Sequence, residues 1–299
     1  MLKQLKSKLN RLNKLLYQVE ELESSVCFIR EGIGRIECRQ IGQKEDLEEI
    51  ADVEFKVFSQ WGEDGIIQYL VHKTCPKSNV FIEFGVEDYR ESNTRFLLVN
   101  NNWAGLIIDG RSDHIANIRN QPIYWQRNLK ATCEFITAEN VNEIFKANGV
   151  SGEIGLLSID VDGNDYWIWK AINCISPAIV VCEYNFRFGT DRAVTVPYNP
   201  EFKRSEAHHS MIYYGASLKA LTSLANRKNY ALVGCNSAGN NAFFVRKDLK
   251  PDTVKEVSIE SGFVQGKYRE TRCPDGKLAY LSHDEEMKII ETLPLVEVE

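Results

Sequence analysis

LLSIDVDGNDYWIWKAI (156–172) decides the fold. The apolar run from Leu156 to Ile159 leads straight into three carboxylates, Asp160, Asp162 and Asp165, and a Trp-rich amphipathic stretch follows. Ionised carboxylates are costly to bury alone. They are at home where the carboxyl end of a buried strand opens into a ligand crevice. The stretch therefore reads as a parallel strand, a rim of acids, and a helix returning over the sheet.

Working outward, the same unit recurs. NVFIEFGVE (79–87) is an apolar strand closing on Glu83 and Gly85, and SNTRFLLVNNN (92–102) is a helix beginning at Ser92 or Asn93. WAGLIIDG (103–110) is a second strand ending in Asp109, and PIYWQRNL (122–129) reads as a third. ENVNEIFKANG (139–149) is a helix stopped by Gly149, and PAIVVCEYN (177–185) is a strand ending at Glu183. GASLKALTSLANRKN (215–229) is a helix, and YALVGCNSAGNNAFFVRKDL (230–249) is two strands around the turn NSAGNN. Upstream, FSQWGEDGIIQYLVHK (58–73) is a helix for which Ser59 is a candidate cap. Alternation of this kind means an α/β fold, a doubly wound parallel sheet with helices on both faces.

The first segment has another grammar. Leu2, Leu5, Leu9, Leu12, Leu16, Val19 and Val26 follow a three-four spacing broken only by Glu23, a heptad seam. Lys3, Lys6, Lys8, Arg11 and Lys14 come before any acid; Glu20, Glu21 and Glu23 follow. A homo-oligomeric coiled coil is the first reading. A basic amphipathic helix in peripheral contact with an anionic membrane is the second. The expected organisation is a coiled-coil helix over 1–32, a connector with a short charged helix over 33–53, the main domain over 54–249, and a peripheral, partly helical extension over 250–299.

The totals exclude several classes. A net charge of −6 argues against a general nucleic-acid binder. No apolar run reaches the roughly 18–20 residues of a membrane span, and the N-terminus lacks the apolar core of a secretory signal. The eight cysteines are scattered with no CxxC pair, so neither a zinc site nor a disulfide framework is indicated. A reducing cytoplasm is the expected setting.

Four strand ends carry an acid: Glu83, Asp109, Asp160 and Glu183. One acid after a strand is an ordinary cap or turn residue; four in one sheet mark a crevice rich in acceptors. Asp109, one strand–helix unit after Glu83, suits the two hydroxyls of a ribose. The loop GVEDYRES lacks the spaced glycines that let backbone N–H groups approach a pyrophosphate. That lowers a dinucleotide and leaves a nucleoside without phosphates, S-adenosylmethionine.

Together FSQWGEDGIIQYL, FIEFGVED, SNTRFLL, WAGLIIDG, LLSIDVDGNDYWIWKAI, VVCEYN, YYGASLKAL and NNAFFVR resemble the FkbM-type methyltransferases, over roughly residues 58–249. The resemblance implies a class I, Rossmann-like, seven-stranded sheet with an antiparallel last strand. It also implies O-methyl transfer from S-adenosylmethionine to a carbohydrate, nucleotide-sugar or related hydroxyl. By position, Glu83 and Gly85 belong to the loop at the methionine end of the cofactor, and Asp109 with Gly110 to its ribose. Gln60, Glu63 and Asp64, with Ser59, form a block covering that pocket. Ser92, Asn93 and Thr94 face it from a helix start, and Asp160 orients cofactor or acceptor. The departure is Val86-Glu87-Asp88-Tyr89, where many class I enzymes have a glycine-rich loop.

Methyl transfer to a hydroxyl needs alignment and a base or metal that makes the oxygen a nucleophile. Asp160 and Asp162 are the candidate catalytic carboxylates. With Glu183 and Asn185, and with Asp165 nearby, they also form an oxygen-only set suited to Mg2+ or a similar cation. His208 and His209 are candidate bases. Tyr213, Tyr214 and Trp61 are candidates for a sugar-stacking wall, whereas Trp167 and Trp169 read as core. Two other functions share these residues: a metal-dependent glycosyltransferase using Asp160-Val161-Asp162 as a D-x-D pair, and a non-catalytic scaffold in a glycan-assembly complex.

Overall fold

A computed structural model describes residues 2–45 and 47–299. Met1 and Asp46, and the side chains of Leu2, Lys3, Leu5, Ser7 and Glu20, lie outside the described residues, and with them the first two positions of the expected seam. Strong helix formers without a proline build one long helix, α1 (Leu2–Ile41). It runs past the expected boundary at residue 32, so the connector begins after Ile41 and holds only a 3-10 turn at Ile50–Val53. α1 docks through Gly34: a Cβ there would lie 2.5 Å from Val57 Cγ2 and 2.8 Å from Phe96 Cζ. Among the described residues, no helix is long and apolar enough to cross a membrane.

The main domain follows in the order α2 (Glu63–Thr74), β1 (Val80–Phe84), α3 (Arg95–Asn100), β2 (Ala104–Asp109), α4 (Ser112–Asn120), α5 (Pro122–Gln126), β3 (Leu129–Cys133), α6 (Val141–Ala147), β4 (Gly152–Ile159), α7 (Asp165–Ala171) and β5 (Ile175–Glu183). Beyond a short β6 (Val194–Thr195) come α8 (Arg204–Ala207), α9 (Leu218–Arg227), β7 (Tyr230–Cys235), β8 (Asn241–Arg246), α10 (Ile259–Gly262), α11 (His283–Ile290) and β9 (Val296–Glu297). Seven strands form one sheet in the order β3-β2-β1-β4-β5-β8-β7. All neighbours are parallel except β8, which is antiparallel to both β5 and β7. This is the expected α/β sheet with a reversed last strand.

Side-chain alternation covers both faces. Ile82, Phe84, Ile108, Leu157 and Cys182 point into one core with α7 and α9. Phe81, Ile107, Leu156 and Val181 point into the other with α2. Chain order reverses between β1 and β4, so a crevice opens outside their carboxyl ends.

Two expectations need correction. Residues 122–126 are helical, with Pro122 pre-set for a first helical turn. The third strand lies further on, at 129–133, where it is an edge strand with Lys130 exposed and no apolar run to announce it. The C-terminal extension is not peripheral. β9 pairs antiparallel with β6, and Glu270 and Glu286 hold the fully buried Arg187 at 2.8 and 2.7 Å.

Candidate active site

A cavity of about 1040 Å³ opens along the carboxyl ends of β1, β2, β4 and β5. Gln60, Glu83, Gly85, Ser92, Asn93, Asp109, Gly110, Asp160, Asp162 and Glu183, all singled out from the sequence, line it. Its two ends differ in chemistry.

At the β1–β2 end the carboxylates are held by several donors each. Glu83 accepts from Ser92 Oγ (2.5 Å), Asn93 N (2.8 Å), and Thr94 N and Oγ1 (3.2 and 2.5 Å). These bonds use up residues 92–94, which is why α3 starts only at Arg95. Burial still holds the Glu83 carboxyl above the ordinary carboxylate range, against the pull of those donors. Asp109 accepts from Glu87 N (2.9 Å), Arg111 N (2.8 Å) and His114 Nδ1 (3.2 Å). Ile108, Phe135 and Ile136 add an apolar slot beside it.

The glycine-poor loop after β1 keeps its shape by other means. Glu87 and Tyr89 take left-handed backbone angles (φ 48 and 61°), a conformation costing non-glycine residues roughly 1–2 kcal/mol each. Asp109 holds the Glu87 N–H. The buried Tyr89 ring has its hydroxyl 3.1 Å from Thr94 Oγ1. Gly85 (φ 67°) leaves no room for a side chain without a shift, since a Cβ there would sit 2.0 Å from the Asp160 carbonyl oxygen.

At the β4–β5 end the carboxylates are poorly satisfied. Glu183 Oε2 is buried without a hydrogen-bond partner among the described residues. One ligand atom from each of Asp160, Asp162 and Glu183 lies within 4.8 Å of the others. Burial, then the charges of Asp162 and Asp165, pushes the Asp160 carboxyl far up. Burial, then Asp160, does the same to Glu183. Asp162 pairs with Arg204 Nη1 at 2.8 Å. Arg204 lies 3.7 Å over the Tyr214 ring and also pairs with Glu270.

Several expected residues stand elsewhere. Glu63 is fully buried, holding Trp61 N, Asn236 and Asn241, and so ties α2 to the β7–β8 hairpin. Asp64 Oδ2 gathers the N–H groups of Val57, Phe58 and Ser59 and the Ser59 hydroxyl. Thr94 is buried on Glu83. Asn185 donates to the carbonyls of Ile212 and Tyr214, turning its amide to the loop rather than the cavity. Asp165 caps its own turn, accepting from Val161 N and Gly163 N. His208 Nδ1 engages Ser210 Oγ within its own turn and its ring packs on His209, so neither histidine lines the cavity. Tyr213 and Tyr214 bond Pro294 O and Glu270 instead of forming a wall. Trp167 bonds Val196 O, and Trp169 is core.

Sequence reasoning missed the wall supplied by the C-terminal segment. Tyr268, Arg269 and Glu270 line the cavity, and Tyr268 stacks on Trp61 (centroids 5.8 Å apart, 23° between planes). A signal was present: Arg187 sits in NFRF among aromatics, and an arginine buried there demands acidic partners from elsewhere.

No protein-family model and no curated protein matches the chain. Among solved structures it is similar to the N-terminal domain of EvdMO1 with SAH bound (10% identity, TM-score 0.40, 72% of this chain and 94% of that one). It is also similar to an O-methyltransferase from Bacillus cereus in complex with SAH (13% identity, TM-score 0.39, 72% and 88%). A third is an S-adenosylmethionine-dependent methyltransferase from Clostridium acetobutylicum (10% identity, TM-score 0.38, 61% and 89%).

Proposed function

We propose that the protein is an S-adenosylmethionine-dependent O-methyltransferase of the FkbM type acting on a sugar or nucleotide-sugar hydroxyl. One observation carries the reading: the cavity lies at the switch point of a seven-stranded sheet whose reversed strand the resemblance implied, with engaged acids at one end and unengaged acids at the other. The cofactor fits the engaged end. Asp109 keeps lone-pair capacity for a ribose hydroxyl, and the Ile108–Phe135–Ile136 slot suits a planar base.

S-adenosylmethionine, when bound, supplies an electrophilic methyl group on a sulfonium. The chain's own task is to hold an acceptor hydroxyl in line with that methyl and to remove its proton. Asp160 and Glu183 face the cavity with carboxyls that hold protons unusually well, which makes them fitting general bases. Trp61 and Tyr268 give a ring surface for stacking a sugar, and the acidic lining gives acceptors for its hydroxyls.

A divalent cation fits the same acids. Oxygens at about 2.1–2.5 Å from one ion lie at most about 4.2–5 Å apart, which accommodates the spread of Asp160, Asp162 and Glu183. Glu183 Oε2, buried without a partner among the described residues, is the atom such an ion would satisfy. These three residues, without Asn185, would hold the ion, and its charge would favour the ionised acceptor hydroxyl.

Calorimetric titration with S-adenosylhomocysteine tests the cofactor. Binding is expected, weakened about 10- to 100-fold in Asp109→Ala as charge-assisted hydrogen bonds are lost. Mn2+ titration followed by electron paramagnetic resonance tests the ion, with binding expected for the wild type and lost in Glu183→Gln. A wild type that ignores S-adenosylhomocysteine overturns the methyltransferase reading. One that binds it but not Mn2+ removes only the metal.

A further inference from the structure

Away from the cavity, one face of α1 is an exposed apolar surface. Leu9, Leu12, Leu16, Val19 and Val26 stand about half exposed. The stripe is broader than the seam alone: Leu15, Leu22 (63% exposed), Ile29 (60%) and Ile36 flank it, and Ile33 prolongs it. Contiguous apolar surface of this extent marks an interaction site. With Leu9 and Leu16 at a and Leu12, Val19, Val26 and Ile33 at d, the residues Leu15, Leu22, Ile29 and Ile36 all fall at g. The opposite flank, e, is occupied at its C-terminal end by the chain's own domain. Gly34 is packed on Val57 and Phe96, Cys27 packs beside the same group, and Ile41 is buried.

We propose that α1 pairs with α1 of a second copy of this chain, and that the two helices run antiparallel. In a parallel pair g meets e of the neighbour, so Leu22 would face Cys27 and Ile29 would face Gly34, positions already covered by a catalytic domain. Reversing one helix puts g on g, with Leu15 meeting Leu22 and the free edges covering each other. Charge agrees. Lys6, Lys8, Arg11 and Lys14 precede Glu21, Glu23 and Glu31 with no acid among them, and Arg30, the one base between Glu21 and Glu31, lies over the Phe58 ring of its own domain. A parallel pair stacks the basic halves together and sets Glu23 against Glu23 in the seam. The antiparallel pair lays basic half on acidic half, with Leu9 opposite Val26, Leu16 opposite Val19, and Glu23 opposite Leu12, near Arg11 of the partner subunit.

Light scattering of the full chain should give twice the 34.2 kDa chain mass. Leu16→Asp should give a monomer that keeps its far-ultraviolet spectrum and its S-adenosylhomocysteine affinity. Orientation is read with photoreactive p-benzoylphenylalanine at position 9, in a mixture of isotopically light and heavy chains. Cross-links between chains should fall near residue 26. Links near residue 9 mean a parallel pair and overturn the proposal. So does a wild type that stays monomeric, including one that sediments with phosphatidylserine vesicles, which would make the stripe a membrane face.

Discussion

The two ends of the cavity use the same residue types to opposite effect. At the β1–β2 end, Glu83 and Asp109 between them accept seven hydrogen bonds from neighbouring loops and α4. At the β4–β5 end, Glu183 keeps a buried oxygen with no partner among the described residues, and Asp160 lies among other acids. Satisfied carboxylates are architectural, fixing loops that bind. Unsatisfied ones carry a standing cost, and such costs persist where chemistry uses them. Burial and charge type alone do not separate the two groups; their hydrogen-bond partners do.

The sharpest way to break the contrast is to neutralise the unsatisfied end. Glu183→Gln should lower methyl transfer about 1000-fold, as expected for removing a general base or a ligand. S-adenosylhomocysteine affinity should stay within about threefold, and melting temperature should not fall, because like charges are relieved. Transfer of labelled methyl groups to a panel of sugars and nucleotide sugars reads the first number. A variant retaining a tenth of wild-type turnover would move the chemistry away from this end.

A smaller effect tests how the two ends are joined. Gly85→Ala adds a methyl group 2.0 Å from the Asp160 carbonyl at a left-handed position. Overpacking and the strain of a left-handed φ in alanine together should cost about 3 kcal/mol in urea unfolding. The β1–β2 end should loosen with it, and on the proposed reading S-adenosylhomocysteine should bind more than tenfold more weakly. If stability drops but affinity does not, the two ends are mechanically independent.

The difference between the ends also explains what the sequence made legible. The strand-ending acids and the reversed hairpin were readable because buried strands are continuous apolar runs and their stop points stand out. β3 was misread because an edge strand alternates with polar residues, and the neighbouring apolar PIYW reads as a strand while forming a helix. Glu63, Asp64 and Asn185 look like site residues in a list, yet each is turned inward to tie loops together. Which way a polar side chain faces depends on partners distant in sequence, as with Asn236 on Glu63. For the same reason Arg187 announces a need for acids but not that Glu270, with Tyr268, answers it. Nothing local in YRETR says that it folds back onto the rim.

Asp64 offers the finest test, because it sits on the architectural side while keeping one oxygen unsatisfied among the described residues. Burial raises its pKa from 3.8 to about 6 despite four donors on the other oxygen. Between those values the folded chain holds a proton that the unfolded chain has released. Stability from this group is therefore greatest below pH 3.8, falls as pH rises through the window, and levels off above about 6. Acidifying from pH 7 to 5 should recover about 1 kcal/mol, a rise of about 2 °C in melting temperature. Asp64→Asn keeps one oxygen for the three N–H groups but cannot ionise, so its melting temperature should lack that component. Parallel pH profiles for wild type and variant would instead mean that Asp64 is ionised at no net cost. The orphaned oxygen would then have found water, and it would belong with the fully satisfied acids.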